Sequence, residues 1–104
     1  PKTQRVIKVA SSIIDNPSVS ITLEEWASFA AMSPRTLRRV FLSETGLSFS
    51  HWRQQAQLAR SLDMLAQDIS VTEISDSLGY ASPSNFIAMF RRSFGKTPKQ
   101  YFAK

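Results

Sequence analysis

The sequence lacks the residues on which several classes of protein depend. It has no cysteine, one histidine and three glycines among its 104 residues. The absence of cysteine excludes a disulfide scaffold, a thiolate metal site and a thiol nucleophile, and it fits a reducing cytosol. His51 has no catalytic or metal-ligating partner in the sequence around it, and no glycine-rich loop is present to hold a phosphate. We therefore expect no enzyme, no metal and no cofactor.

Long apolar runs and a targeting segment are missing as well. No stretch approaches the roughly 20 apolar residues that span a bilayer. Residues 1–14 lack the cleavage pattern of a secretory signal peptide, so we expect no association with a membrane. The chain does not begin with Met, and we expect it to be one part of a longer protein.

A basic charge with a segmental distribution is present instead. The net charge is +5 and the sequence pI is about 10.1. Residues 33–43 hold three arginines and no acid, and residues 90–104 hold five Lys or Arg and no acid. Between Arg60 and Arg91 there are four acids and no base. This pattern favours an anionic partner, most simply nucleic acid, for a chain long enough for one compact domain.

Apolar residues recur at helical spacing along the whole chain, which predicts an all-α fold of about seven helices. A first helix should end at Asn16-Pro17, and its predicted apolar face consists of Val6, Ile7, Ala10, Ile13 and Ile14. A longer helix should begin after Ser48, and its predicted buried stripe consists of Phe49, Trp52, Ala56, Ala59, Leu62 and Leu65.

One pattern occurs twice. Residues 33–41 read SPRTLRRVF and residues 82–90 read SPSNFIAMF, forty-nine positions later. Each follows a Thr/Ser-x-x-Glu capping box, opens with a Ser-Pro cap and is followed by a glycine stop. Because the capping boxes lie only 48 residues apart, the second turn should contain one extra residue. The pattern predicts two helix-turn-helix units joined by a long helix, with subdomain 1–47, connecting helix 48–67 and subdomain 68–104.

A helix-turn-helix unit places its second helix in the major groove of DNA. At about 100° per residue from Leu37, Arg35 and Arg39 point away from the core, with Thr36 and Arg38 on either side. Two arginines one turn apart suit bidentate contacts to guanine, and they suit phosphates equally well, so both roles stay open. An ordinary solvated face is the plain alternative.

The second copy has a different surface. Ser84 and Ala88 should point outward, with Asn85 and Ile87 on either side, and none of these four reads guanine well. Basic residues follow at the end of that helix, and a helix N-terminus can also bind a phosphate. The candidate phosphate-binding residues are Ser33, Ser82, Arg91, Arg92, Lys96 and Thr97.

These motifs closely resemble the C-terminal DNA-binding domain of AraC/XylS-type bacterial transcription regulators, over about residues 5–102. The resemblance is carried by Gly79-Tyr80, Phe86, Phe90, Phe94-Gly95 and the ending Thr97-Pro98…Tyr101. It implies that both recognition helices enter successive major grooves of one DNA face, and that Arg35, Arg39, Ser84 and Ala88 occupy base-reading positions. Family members often carry a longer polar residue where Ala88 stands, which departs from the family pattern and weakens the case for base reading there.

The resemblance also implies partners that these residues do not contain. They are double-stranded operator DNA, RNA polymerase and a missing N-terminal effector-binding domain, in a cytoplasmic, nucleoid-associated bacterial activator. Residues 52–55 (WRQQ) and 86–90 (FIAMF) are similar to a branch of the family with a cupin-like sensor. We expect the isolated domain to be monomeric. The rival hypothesis is a protein-interaction module that binds an acidic partner through the same basic faces, and it predicts only weak, salt-dependent binding to DNA.

Overall fold

The computed structural model describes residues 2–103 of the chain. Within this range the chain folds into seven helices without a strand, which confirms the predicted all-α class. The helices are α1 (Lys2–Asp15), α2 (Leu23–Phe29), α3 (Pro34–Thr45), α4 (Phe49–Ala66), α5 (Val71–Ser77), α6 (Pro83–Phe94) and α7 (Pro98–Tyr101). The molecule is elongated, with extents of 48 × 23 × 20 Å.

The helices begin and end at the residues that the sequence marks. A Ser or Thr side chain accepts a hydrogen bond from the backbone N–H three residues later at Thr22, Ser33, Ser48, Ser70, Ser82 and Thr97. Gly46 and Gly95 end α3 and α6 in the left-handed conformation, with φ of 78° and 75°. The second capping box forms only in part: Ser70 accepts from the N–H of Glu73, but within the described residues the Ser70 N–H donates no return bond to the Glu73 side chain.

Two helix-turn-helix units have the same frame. We call α2 and α3 the first unit and α5 and α6 the second unit. The first helix of each has 7 residues and the second has 12. The turn from Leu78 to Ser82 is one residue longer than the turn from Ala30 to Ser33, as predicted. Helix α1 packs on α3 and α4, and α7 packs on α6, so each recognition helix has its own additional support.

Two separate hydrophobic cores lie along the chain, and α4 contributes to both. The first core contains Phe49 of α4, with Trp52 and Ala56 packed against it. The second core contains Leu58 and Met64 of the same helix. The contribution of α4 therefore changes from one core to the other between Ala56 and Leu58.

The single buried stripe predicted for α4 is partly wrong. Phe49 is buried as predicted, and Trp52, Ala56, Leu62 and Leu65 are half-buried, but Ala59 is exposed. The buried residues in the later part of α4 are Gln57, Leu58, Ser61 and Met64. At about 100° per residue, the buried residues in the later part of α4 are centred more than about 100° around the helix from Phe49, Trp52 and Ala56. One straight stripe therefore cannot serve both cores.

The apolar face predicted for α1 also needs correction. Val6, Ala10 and Ile13 are buried as predicted, together with Val9. Ile7 and Ile14 are 57% and 55% exposed, because α1 packs on α3 and α4 with one side only.

Candidate nucleic-acid interface

The first recognition helix, α3, presents three arginines to solvent. Leu37 and Phe41 are fully buried and hold the inner side of the helix in the first core. Arg35, Arg38 and Arg39 are exposed, which agrees with the outward direction inferred for Arg35 and Arg39 and with the lateral position inferred for Arg38. Within residues 2–103, no hydrogen bond or ion pair engages their guanidinium groups, so their donors are available to a ligand.

The other two predicted residues of this helix lie at its sides. Thr36 is half-buried, and its hydroxyl accepts a hydrogen bond of 2.9 Å from the Ser33 hydroxyl. Arg38 lines a groove with Ser48 and Ser50 at the beginning of α4. Arg38 therefore faces the connecting helix, while Arg35 and Arg39 face outward.

The second recognition helix, α6, presents small side chains. Ser84, Asn85 and Ala88 are exposed and Ile87 is half-buried. A shallow concavity on this surface is lined by Ser84, Ile87, Ala88, Arg91, Arg92 and Thr97. The structure thus brings most of the residues predicted for base and phosphate contacts in the second unit into one place. Lys96 is exposed but is not part of that lining.

The three hydroxyl groups predicted to bind phosphates all cap helices. Ser33 accepts from the N–H of Thr36 and donates its hydrogen to the Thr36 hydroxyl. Ser82 accepts from the N–H of Asn85, and Thr97 accepts from the N–H of Gln100. Among the described residues, no acceptor takes the hydroxyl hydrogens of Ser82 and Thr97, so these two hydroxyls suit a phosphate better than Ser33.

The turn of the first unit depends on Arg5, which sequence reasoning missed. Ala31 has a left-handed backbone with φ of 56°, which a side chain disfavours. The Arg5 guanidinium on α1 donates to the carbonyls of Ala30 and Ala31 at 3.2 and 3.1 Å. Arg5 therefore holds the strained turn from which α3 begins. The available signal was the alanine at the position where the second unit has Gly79.

Other kinds of site have little support in the part of the chain that the structure describes. Between residues 2 and 103, the His, Asp and Glu side chains form no group that would hold a metal ion. Over the same range, none of the helices combines the length and the apolar character that crossing a bilayer requires.

Comparison with known proteins identifies the family. A family model described as a helix-turn-helix domain matches residues 26–104. The transcriptional regulator NimR of Escherichia coli K12 is 46% identical over 82 residues, which are 79% of this chain and 30% of NimR. The chain thus spans less than a third of the length of that relative.

Two solved structures share the fold. The C-terminal domain of AraT, a response regulator from Geobacillus stearothermophilus, has a TM-score of 0.84 and 27% identity, covering 93% of this chain and 82% of that domain. The DNA-binding domain of the global transcriptional factor AdpA, solved in complex with a target DNA, has a TM-score of 0.82 and 28% identity, covering 92% of this chain and 87% of that one. With two capped helix-turn-helix units on one connecting helix, and with relatives that are transcription regulators rather than enzymes, the chain belongs to the helix-turn-helix family of AraC-type DNA-binding domains.

Proposed function

We propose that the domain binds a specific duplex site with α3 and α6 in successive major grooves of one DNA face. The observation that carries this proposal is the repeat itself. Two recognition helices of 12 residues are capped, stopped and buried in the same way, and both keep an exposed outer side. The 18 residues of α4 span about 27 Å at 1.5 Å per residue. Adding the width of the flanking helices, this length suits recognition helices one DNA turn apart, about 34 Å.

We assign base reading chiefly to the first unit. Arg35 and Arg39 carry free donors on the outermost side of α3, where bidentate contacts to guanine O6 and N7 form. Thr36 and Arg38 complete the predicted set. Arg38 lies beside the beginning of α4, where it would also contact a phosphate of the DNA backbone.

The second unit would contribute affinity more than sequence information. Ser84, Asn85, Ile87 and Ala88 offer short or apolar contacts, of which a thymine methyl is the most specific target. The phosphate-binding set beside them would be Ser82, Arg91, Arg92, Lys96 and Thr97, with Ser33 at the start of α3. Two of its members, Arg91 and Arg92, lie in the last turn of α6, where the helix dipole also favours positive charge.

The rest of the regulator is proposed from the family resemblance. We expect an N-terminal effector-binding domain, more specifically a cupin-like sensor. The expected partner in activation is RNA polymerase. The proposed setting is the bacterial cytoplasm at the nucleoid, and the isolated domain would be monomeric. The division into 1–47, 48–67 and 68–104 also stays a prediction, to which the change of core along α4 lends support.

An insertion in α4 tests docking in two grooves. One alanine added after Gln57 should turn the second unit by about 100° relative to the first. The insertion point lies between the residues of the two cores, so each unit keeps its own core. We expect affinity for a site selected from a random duplex pool to fall to the non-specific level, a loss of roughly 10³-fold or more.

The measurements are fluorescence anisotropy for DNA binding and circular dichroism for helicity. Gln55→Ala on the exposed side of α4 is the matched control and should bind normally. A folded insertion variant that keeps its affinity would refute simultaneous docking. If the wild-type domain binds selected and scrambled duplexes equally, specific recognition is wrong and the interaction module is favoured.

A further inference from the structure

The loop between α1 and α2 packs against the turn of the second unit. Within this loop, residues 16–22, Pro17 and Ser18 are buried. The backbone N–H of Val19 donates to the carbonyl of Leu78 at 2.9 Å. A Cβ added to Gly79 would lie 2.5 Å from the Ser18 hydroxyl oxygen. A loop that precedes the first unit is therefore in direct contact with the second unit.

Gln57 lies at the centre of this junction. It is only 2% exposed and occupies the point on α4 where the helix changes from one core to the other. Its Nε2 donates to the carbonyl of Pro17 at 2.8 Å, and its Oε1 accepts from the Tyr80 hydroxyl at 2.7 Å. One buried side chain thus bonds at one end to the loop before the first unit and at the other to the turn of the second.

Tyr80 transmits this contact to the second recognition helix. Its ring lies 5.8 Å from the ring of Phe86, which is fully buried on the inner side of α6. Burial raises the pKa of Tyr80, an effect that the nearby Arg53 and Arg92 partly offset. The hydroxyl therefore stays protonated at neutral pH and keeps the hydrogen that it donates to Gln57.

Arg53 fastens the same loop from the first half of α4. Its guanidinium donates to the carbonyl of Ile21 at 2.6 Å and lies 5.1 Å from the centre of the Phe49 ring. Burial lowers the pKa of Arg53, and the nearby Tyr80 partly offsets this effect. The loop is thus fixed to α4 by Arg53, before the change of core, and by Gln57, at the change of core.

We infer that Gln57 and Tyr80 are positioning residues for DNA recognition, and that the hydrogen bonds of the buried Gln57 side chain fix the rotation of α6 relative to α3. This inference rests on the proposed docking in two grooves, because a fixed rotation sets the spacing between half-sites that the domain accepts. Hydrogen bonds suit this role because they are directional, whereas the burial of apolar surface is not. Neither residue needs to touch DNA.

Distances between spin labels test the inference without DNA. The chain has no cysteine, so Ser28→Cys and Ser77→Cys introduce two unique labelling positions on exposed residues of α2 and α5. We expect one narrow distance distribution by double electron–electron resonance in the otherwise wild-type domain. In Tyr80→Phe and in Gln57→Leu the distribution should broaden, because the two units rotate relative to each other.

Conservative controls separate this role from a general effect on stability. Tyr80→Phe keeps the ring against Phe86 and removes only the hydroxyl, so it should fold even if Gln57→Leu does not. Tyr101→Phe and Gln55→Leu make the same changes at exposed positions and should leave the distribution unchanged. An unchanged distribution in Tyr80→Phe overturns the inference, whatever the result with DNA.

The consequence for recognition is measured on sites whose half-sites are one base pair further apart. The wild-type domain should prefer the selected spacing, and in Tyr80→Phe this preference should fall about tenfold, the equivalent of one hydrogen bond. A preference that does not fall overturns the role in spacing. If the wild-type domain itself has no spacing preference, docking in two grooves is wrong, and the label distances still decide whether the bridge fixes the two units.

Discussion

The two helix-turn-helix units share one frame but support their turns differently. In both, the carbonyl that ends the first helix accepts a hydrogen bond from the N-terminal part of the chain. Arg5 of α1 donates to Ala30 in the first unit, and the backbone N–H of Val19 donates to Leu78 in the second. A side-chain donor reaches the carbonyl from a distance, whereas a backbone donor requires close approach. Only the second turn therefore needs a residue without a side chain, Gly79.

The outer surfaces of the recognition helices differ in the position of their basic residues. On α3 the arginines lie in the first two turns, and the helix continues with Leu42 and Ser43, both exposed. On α6 the first two turns are small and polar or apolar, and Arg91 and Arg92 lie in the last turn. The N-terminal part of a recognition helix contacts base edges, so this reversal supports the proposal that the first unit reads bases and the second contacts the DNA backbone.

Replacing the glycine of the second turn should have the largest effect on stability. Gly79→Ala places a side chain at φ of 82°, which costs about 1–2 kcal/mol. The new Cβ would also meet the Ser20 backbone nitrogen at 2.8 Å, and overpacking of this kind costs about 1–3 kcal/mol. We expect a loss of about 3 kcal/mol in the free energy of unfolding, measured by urea denaturation.

Two controls divide this loss into its causes. Gly95→Ala has a similar φ of 75° with open space around it, so it should cost only the backbone part, about 1–2 kcal/mol. Ala31→Gly in the first unit should change stability by less than about 0.5 kcal/mol, since relief of strain is offset by chain entropy. Equal losses in Gly79→Ala and Gly95→Ala would show that the loop does not constrain the second turn.

Local signals predicted the frame of the fold, because caps and stops act within a few residues. Ser33, Ser82, Gly46 and Gly95 begin and end their helices as the sequence indicates. The outward direction of Arg35 and Arg39 also followed from periodicity. These features depend on neighbours in sequence.

The connection between the units could not be predicted in this way. Pro17, Gln57 and Tyr80 are far apart in the sequence, and only tertiary packing brings them together. Ala59 was predicted to be buried because a single helical period assumes one core. The contacts of the candidate site residues with DNA bases or phosphates remain predictions.

Removing one arginine tests whether the two surfaces have different roles. Arg39→Ala should weaken binding to the selected site by about 1–3 kcal/mol and affect scrambled DNA less, because a bidentate contact to guanine would be lost. Arg60→Ala removes the same charge from an exposed position on α4 and is the matched control. Substituting every base pair of the site should give larger losses opposite α3 than opposite α6, measured by competition binding.

Comparable losses in both half-sites would contradict the division of roles between the units, whether the second half-site is recognised by base contacts or by DNA shape. An equal effect of Arg39→Ala on selected and scrambled duplexes would reassign Arg39 to a phosphate.

The smallest expected effect concerns one buried position that the two units share. Ala27 and Ser75 are equivalent, since the carbonyl of Ala27 accepts from the N–H of Met32 and that of Ser75 accepts from the N–H of Tyr80, at 2.9 and 3.0 Å. Both are almost fully buried, at 1% and 0% exposure. The Ser75 hydroxyl finds no hydrogen-bond partner among residues 2–103. A buried hydroxyl without a partner lowers stability, so the second unit should improve with alanine here.

We expect Ser75→Ala to stabilise the domain by about 0.5–1 kcal/mol, which raises Tm by a few degrees, about 2–8 °C, in a domain of this size. The reverse change in the first unit, Ala27→Ser, should destabilise it by about 1 kcal/mol for the same reason. Thermal unfolding of both variants measures the two effects, and DNA affinity should not change in either, because neither side chain reaches the surface. A loss of stability in Ser75→Ala would mean that the hydroxyl does make a hydrogen bond in solution. Ser75 would then stabilise the second unit rather than destabilise it, and Ser75 and Ala27 would each suit their own unit.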